Sequence, residues 1–282
     1  MISRYRAPLR ESLGRLVTLA FAGLLGAVVA LPVIGLLFRV TPSRLVSQLQ
    51  DPGVQQALWL SLKTSVAATA VAFLLGLPMA HLLATRQFPG KRALEVLMDL
   101  PMVIPPTVAG FALLMAFGRA GLLGGALSAF GIALPFTTAA VVLAQVFMSV
   151  PFLVGAARAG FQAVDQSYLD AAATLRAGEM YTLWWVRMPL ALPSIVAGVG
   201  MCWARALGEF GATITFAGNM AGTTRTVPLD VYLLLQENLD AAATLSLLLI
   251  VMAAVLLAAM RQAGLGLFAA PRAPRIAQSP GR

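Results

Sequence analysis

The sequence predicts an all-α, polytopic integral membrane protein of about six spanning helices, with both termini and one helical loop in the cytoplasm. Three observations carry this. Apolar residues make up 59% of the 282 positions and charged residues only 11%, against about a quarter charged in soluble domains. That leaves too little polar material to coat a soluble core of this size. Charge-free runs recur at the length a bilayer demands, about 20 residues rising 1.5 Å each against a hydrocarbon core of roughly 30 Å. Arginine and lysine flank these runs asymmetrically, as membrane orientation requires.

Taken in order, the first run lies between Arg15 and Arg39 and the second between Lys63 and Arg86. A third, Leu100 to Gly118, has Pro101, Pro105 and Pro106 crowding its start. No charge appears from Ala120 to Ala157, which is too long for one helix. The glycines of "GLLGGALSAFG" predict a re-entrant or interfacial segment there, followed by a fourth span from about Pro135 to Ala157. Pro151 is expected to kink or break that span near its end. The fifth runs from about Leu190 to Leu207 and the sixth from about Ala242 to Met260. The leader, the loop after span two, the 158–188 loop and the tail hold fourteen basic residues against six on the other side. Residues 1–56 read as a leader, the first span and an external loop, 57–261 as the main membrane domain, and 262–282 as a disordered cytoplasmic tail.

Several function classes drop out. One cysteine, Cys202, precludes an internal disulfide or a multi-cysteine metal cluster, and is expected to be a small buried hydrophobe. The net charge of +9 is spread around the ends of apolar runs, so it reads as lipid-facing topology rather than nucleic-acid binding. No secretory signal peptide is evident. Acid–base catalysis needs converging titratable groups, and only His81, Glu209 and Asp230 are available. The chain is therefore expected to be no enzyme, with no catalytic residue, metal or bound cofactor. It contains no G-x-x-x-x-G-K-[ST] run, so any use of ATP needs a second polypeptide. An ion-coupled secondary transporter is the rival reading, for which only the Arg205/Glu209 neighbourhood could serve.

Two segments carry functional information. In "VDQSYLDAAATLRAG", Ser167 is expected to cap a short helix with Asp170 at its third position. Ala171, Ala172, Ala173 and Leu175 favour the helix, and Gly178 permits a sharp exit. A second short helix, about Met180 to Met188, carries Trp184 and Trp185 and ends at Pro189, which can open the next span at its first turn. From composition this loop reads equally as a bent protrusion for a partner or as a connection with an interfacial helix. The other segment is "ARALGEFGATITFAGNMAGTTRTVP". Arg205 and Glu209 stand four apart and share a helix face, either bracing the fifth span or lining a passage. The Gly/Thr/Asn-rich stretch after them offers uncharged donors suited to an oxyanion, or forms an external loop.

The segment Asp170 to Pro189 resembles the signature loop of bacterial ABC-importer permeases, E-A-A-x-x-x-G closing on a hydrophobic residue, any residue, then L-P. Asp170 takes the acidic position, Ala171 and Ala172 follow, and Met188–Pro189 close it. The glycine position falls on Arg176, with Gly178 two residues later. Together with "MDLPMVIPPTVAGFALLMAFGRAGLLG", the second segment resembles the molybdate branch of this binding-protein-dependent family over about Ala57 to Arg261, and sulfate and tungstate permeases share the scaffold. The resemblance implies an inner-membrane homodimer that receives molybdate from a periplasmic binding protein. It implies two copies of a cytoplasmic P-loop ATPase that use the ATP and Mg. It further implies that Asp170, Ala171, Ala172, Leu175, Arg176, Gly178 and Pro189 belong to the ATPase-coupling loop, and that Pro105, Pro106, Thr107, Arg205, Glu209 and Thr213 belong to pore-side segments.

Overall fold

The computed structural model describes residues 6–268, and every regular element among them is helical. In chain order these are α1 (Arg6–Arg39), α2 (Pro42–Gln50), α3 (Pro52–Thr85), α4 (Lys91–Val103), α5 (Pro106–Phe117), α6 (Gly124–Ala129) and α7 (Thr138–Gln162). There follow α8 (Gln166–Thr174), α9 (Glu179–Thr182), α10 (Met188–Leu207), α11 (Gly211–Phe216), α12 (Val227–Glu237) and α13 (Leu239–Phe268), with a π-helical turn, Leu183–Arg187, joining α9 to α10. Five stretches are long and apolar enough to cross a bilayer: Gly14–Arg39, Pro52–Thr85, Thr138–Gln162, Glu179–Leu207 and Leu239–Met260.

The third expected span, Leu100–Gly118, is not one helix. The chain is extended at Ile104 and Pro105, because Pro105 and Pro106 have no N–H for the carbonyls one turn back and the residue before a proline is pushed out of helical geometry. The crossing is nevertheless made. Ala72 packs with Leu153, Leu77 clusters with Val154, and the His81 ring lies 5.2 Å from Phe161, so α3 and α7 run parallel. Residues 86–137 must therefore return across the bundle. α4 does the first half, placing Leu94 and Met98 against the cluster of Leu83, Val154 and Phe161. α5 does the second, placing Ala109 and Leu113 against Ala140, Val141 and Ala144.

The remaining boundaries also differ from expectation. α7 runs unbroken through Pro151, since a proline inside a long helix costs one hydrogen bond that tertiary packing here outweighs. The fifth span starts at Glu179, eleven positions before the expected Leu190. The stretch Thr41–Gln56, expected to be an external loop, folds into α2 and the first turn of α3. The Asp51 side chain caps α3 by accepting from the Gly53 and Val54 amides at 2.7 and 3.2 Å. α13 continues to Phe268, so residues 262–268 of the expected disordered tail are helical, and the rest of that tail lies outside the described residues.

α7 is the hub, and small residues let its neighbours approach. A Cβ at Gly160 would stand 2.6 Å from the Ser194 Cβ, and one at Gly198 would stand 2.9 Å from the Ala156 Cβ, so α7 and α10 touch nearly backbone to backbone. In lipid, where tails are as apolar as leucine, such van der Waals fit rather than the hydrophobic effect drives helix association. α1 is peripheral, and from Leu16 onward most of its apolar side chains are exposed. It is tied in where Arg39 and Arg44 meet Asp240 at 2.9 and 3.0 Å. Gly160→Ala should cost about 1–3 kcal/mol by forcing α7 and α10 apart, read as a lowered thermal midpoint in detergent. Gly155→Ala, with nothing within 4 Å, should leave that midpoint in place.

Candidate functional site

Two regions bring the sequence-predicted residues together. The first lies where two helix breaks meet. α10 ends at Leu207 and the chain restarts at Gly211 as α11, leaving backbone groups that at membrane depth must be satisfied inside the protein. Glu209 does this. Its carboxylate is 1% exposed; Oε1 accepts the Ala212 amide at 2.8 Å, and Oε2 lies 2.5 Å from Arg205 Nη1. One buried carboxylate thus caps α11 and neutralises the arginine of the preceding turn.

Against this junction lies the break between α4 and α5. A Cβ at Gly211 would stand 2.6 Å from the Pro106 Cβ and 3.3 Å from the Thr107 amide nitrogen, and one at Gly110 would stand 2.6 Å from the Ala212 carbonyl. Pro106, Thr107, Glu209 and Thr213 are therefore neighbours. They do not share one surface. Pro105, Pro106 and Thr107 are exposed on the protomer, Arg205 is partly exposed, and Glu209 and Thr213 are closed off. The Arg205–Glu209 pair braces the joint. The Gly/Thr/Asn-rich stretch uses some of its hydroxyls internally and encloses others. The Thr215 hydroxyl donates to the Gly211 carbonyl and the Thr224 hydroxyl accepts the Met220 amide, while Thr213 and Thr226 are buried with hydroxyls that have no partner among the described residues.

The second region is the 158–188 loop. The cap of α8 is Asp165, not Ser167: its carboxylate accepts the Ser167 amide at 2.8 Å. That bond holds the Asp165 carboxyl below its ordinary range, so the cap is in place above that range and is lost as pH falls through the lowered value. Asp170 sits within α8, exposed, accepting from the Gln166 side chain at 2.9 Å. The bend is also placed differently from a turn at Gly178, which has φ −68°. Arg176 itself adopts the left-handed conformation, φ 56°. The Ala177 amide reaches back to the Ala172 carbonyl and the Arg176 amide to the Ala173 carbonyl, the paired bonds of a Schellman ending. The position that resembles the signature glycine thus keeps the glycine conformation while carrying arginine.

Beyond the bend, α9, the π turn and α10 form one helical run of 29 residues, Glu179–Leu207. The short helix does not stop at Pro189, although Pro189 stands in the first turn of α10 as expected. The Met188 amide bonds to the Leu183 carbonyl in the wider i→i+5 register, which takes the chain past a residue with no N–H to give. Trp184 and Trp185 are exposed on this run and Tyr181 stacks near Trp185.

Comparison with known proteins adds the relatives. The family described as "Binding-protein-dependent transport system inner membrane component" matches residues 72–265. The chain belongs to this family. It is 48% identical over 228 residues to the molybdenum transport system permease protein ModB of Mycobacterium tuberculosis, covering 80% of this chain and 86% of that one. It is 34% identical to the sulfate transport system permease protein CysW of Synechococcus elongatus, covering 89% and 88%. Among solved structures, a chain of a bacterial ABC transporter involved in alginate import superposes with a TM-score of 0.72 at 15% identity, covering 92% of this chain and 99% of that chain. This inner-membrane, multi-pass component is thus placed by family and fold together.

One part of this permease fold was missed in the sequence. Ser61, Thr64, Ser65 and Thr69 form a buried stripe on α3. Ser61 Oγ accepts the Val227 amide at 2.7 Å and Ser65 Oγ accepts the Trp203 indole N–H at 3.0 Å, locking α12 and α10 to α3. The three- and four-residue spacing of small polar residues was the available signal. Gln145 of α7, fully buried with its amide unpartnered among the described residues, had none.

Two outcomes follow. Arg205→Met leaves a buried carboxylate unpaired and should cost about 3 kcal/mol, whereas the double variant with Glu209→Gln, which keeps an oxygen for Ala212, should recover most of that in chemical denaturation. Arg176→Gly removes the left-handed penalty and should raise the thermal midpoint by the equivalent of about 1 kcal/mol. Arg176→Val should lower it.

Proposed function

We propose that this chain is the permease subunit of an ABC importer that carries molybdate across the inner membrane, driven by ATP hydrolysis on a separate subunit. The observation that carries the reading is the 48% identity to a molybdenum permease over 86% of that protein's length, which spans both the junction of helix breaks and the α8–α9 loop. A relative named for molybdate and tungstate is 39% identical and one named for sulfate is 34% identical; they support a second reading in which tungstate or sulfate shares the passage.

The α8 end of the bundle is cytoplasmic in this reading, consistent with the excess of basic residues there. Two copies of a P-loop ATPase take up α8 through Asp170, Ala171, Leu175 and Arg176, whereas Ala172, expected in the same contact, is buried against the bundle and seats α8 instead. Leu175 is 82% exposed and Tyr168 is exposed beside it, apolar anchors with nothing in the protomer to cover them. Gly178 and Pro189 flank the run that leads inward. Because α9, the π turn and α10 are one helix, a push on α8 is delivered along it to Arg205 and the Glu209 junction. The other end receives the loaded periplasmic binding protein. A second copy of the chain completes the pore against the exposed face of α4 and α5, where Val103, Val108, Phe111 and the Pro105–Thr107 segment lie uncovered. The anion crosses without chemistry on it; access alternates.

The reading is tested in proteoliposomes holding the permease, its ATPase and the periplasmic protein. ATP-dependent molybdate uptake that a large excess of sulfate fails to suppress is the expected result. Uptake of sulfate in place of molybdate would overturn the substrate. Asp170→Arg should abolish both uptake and co-purification of the ATPase, and an unchanged complex would remove α8 from the contact.

A further inference from the structure

A cavity of about 260 Å³ lies between the end of α3 and the α8–α9 loop, bounded by His81, Arg86, Glu179, Thr182 and Arg187 with Leu169, Ala173 and Ala177. It lies on the bundle side of α8: Leu169 and Ala173 turn towards it, whereas Asp170 and Leu175 do not line it. A partner seated on the free face of α8 would leave it open.

Its chemistry is cationic and unfinished. Two guanidinium groups reach it and one carboxylate answers them. Arg86 is paired with Glu179, while Arg187 makes no ion pair among the described residues. The His81 Nδ1 is buried without a hydrogen-bond partner, and the charges of Arg187 and Arg86 both bear on that ring. A partly buried guanidinium with no counter-charge is costly, and its planar fork of donors fits carboxylate or a tetrahedral oxyanion. Among the described residues Glu179 is the only acid at the cavity, and its side chain is 81% exposed. It is held at the rim by Arg86 alone and is free to swing out. Space is ample, since a water takes about 30 Å³.

We propose that this cavity is a binding site for a small tetrahedral oxyanion, which bonds Arg187, Arg86 and the Thr182 hydroxyl and competes with the Glu179 carboxylate for Arg86. Occupancy breaks the one ion pair that ties α9 to the end of α3, so the ligand loosens the loop from the bundle at its root. The site is separate from the helix-break junction and does not depend on which ion the permease carries.

The test is equilibrium binding of radiolabelled molybdate and, separately, inorganic phosphate to the full chain in nanodiscs, at fixed pH and ionic strength, without the ATPase. Saturable binding of at least one of the two is expected. Arg187→Gln should weaken it about tenfold, the loss of one charged hydrogen bond. Glu179→Gln, which removes the competitor, should tighten it. Arg86→Gln offers a second weakening variant should Arg187→Gln fail to fold. Molybdate alone would mark the transported class as ligand, and phosphate and molybdate alike would mark a general oxyanion site; both uphold the proposal. No saturable binding of either ion, or an affinity unmoved by the arginine variants and by Glu179→Gln, would overturn it.

Discussion

The Glu209 carboxylate is the contact on which the inner half of the structure depends. A helix interrupted at membrane depth leaves amides and carbonyls with no water to take them. Here one buried side chain takes up one of those amides, that of Ala212, while neutralising Arg205, and the Gly208 and Glu209 amides turn back to the Ala204 and Ala206 carbonyls. Everything around it is arranged to allow the break. Gly211 admits Pro106, and Gly110 admits the backbone of α11. Without the carboxylate, α10 would have to continue as a helix or leave a charged arginine unpaired. With it, two discontinuous helices meet face to face and place the Pro105–Thr107 segment on an open surface.

The loop at the other end follows a different economy. α8 is short, capped at one end by Asp165 and closed at the other by a left-handed arginine, so it is rigid without being long. It is joined to the junction by an unbroken helical run in which the π turn carries the chain past Pro189. The capped loop, the 29-residue run and the Glu209 brace therefore form one mechanical path. The glycines that seat α10 against α7 fix where that path lies in the bundle.

Much of this was legible in the sequence because bilayer physics leaves few choices. Charge-free runs of the right length located α1, α3, α7, α10 and α13, and the four-residue spacing of Arg205 and Glu209 foretold their pairing. The errors share a cause. Local propensity placed a kink or break at Pro151, a helix end at Pro189 and a bend at Gly178, yet α7 is continuous through the first and a change of hydrogen-bond register carried the chain past the second. The bend stayed at Arg176, where backbone hydrogen bonds outweigh the side-chain preference. The split of the third span was signalled by Pro105 and Pro106, but its fit against Gly211 joins residues about a hundred positions apart, which no local pattern reveals. The same holds for Ser61 and Ser65, whose partners lie on α12 and α10.

In the proposed import cycle α9, the π turn and α10 move as one lever between the α8 loop and the Glu209 junction. Electron–electron resonance distances test it most directly, with spin labels at Tyr181 and Met201 and a third at Leu24 on α1, measured in the assembled transporter with and without ATP. The account predicts that the Tyr181–Met201 distance stays constant while both labels shift relative to Leu24. A nucleotide-dependent change in the Tyr181–Met201 distance itself would place the hinge inside the run, at the π turn, and contradict it.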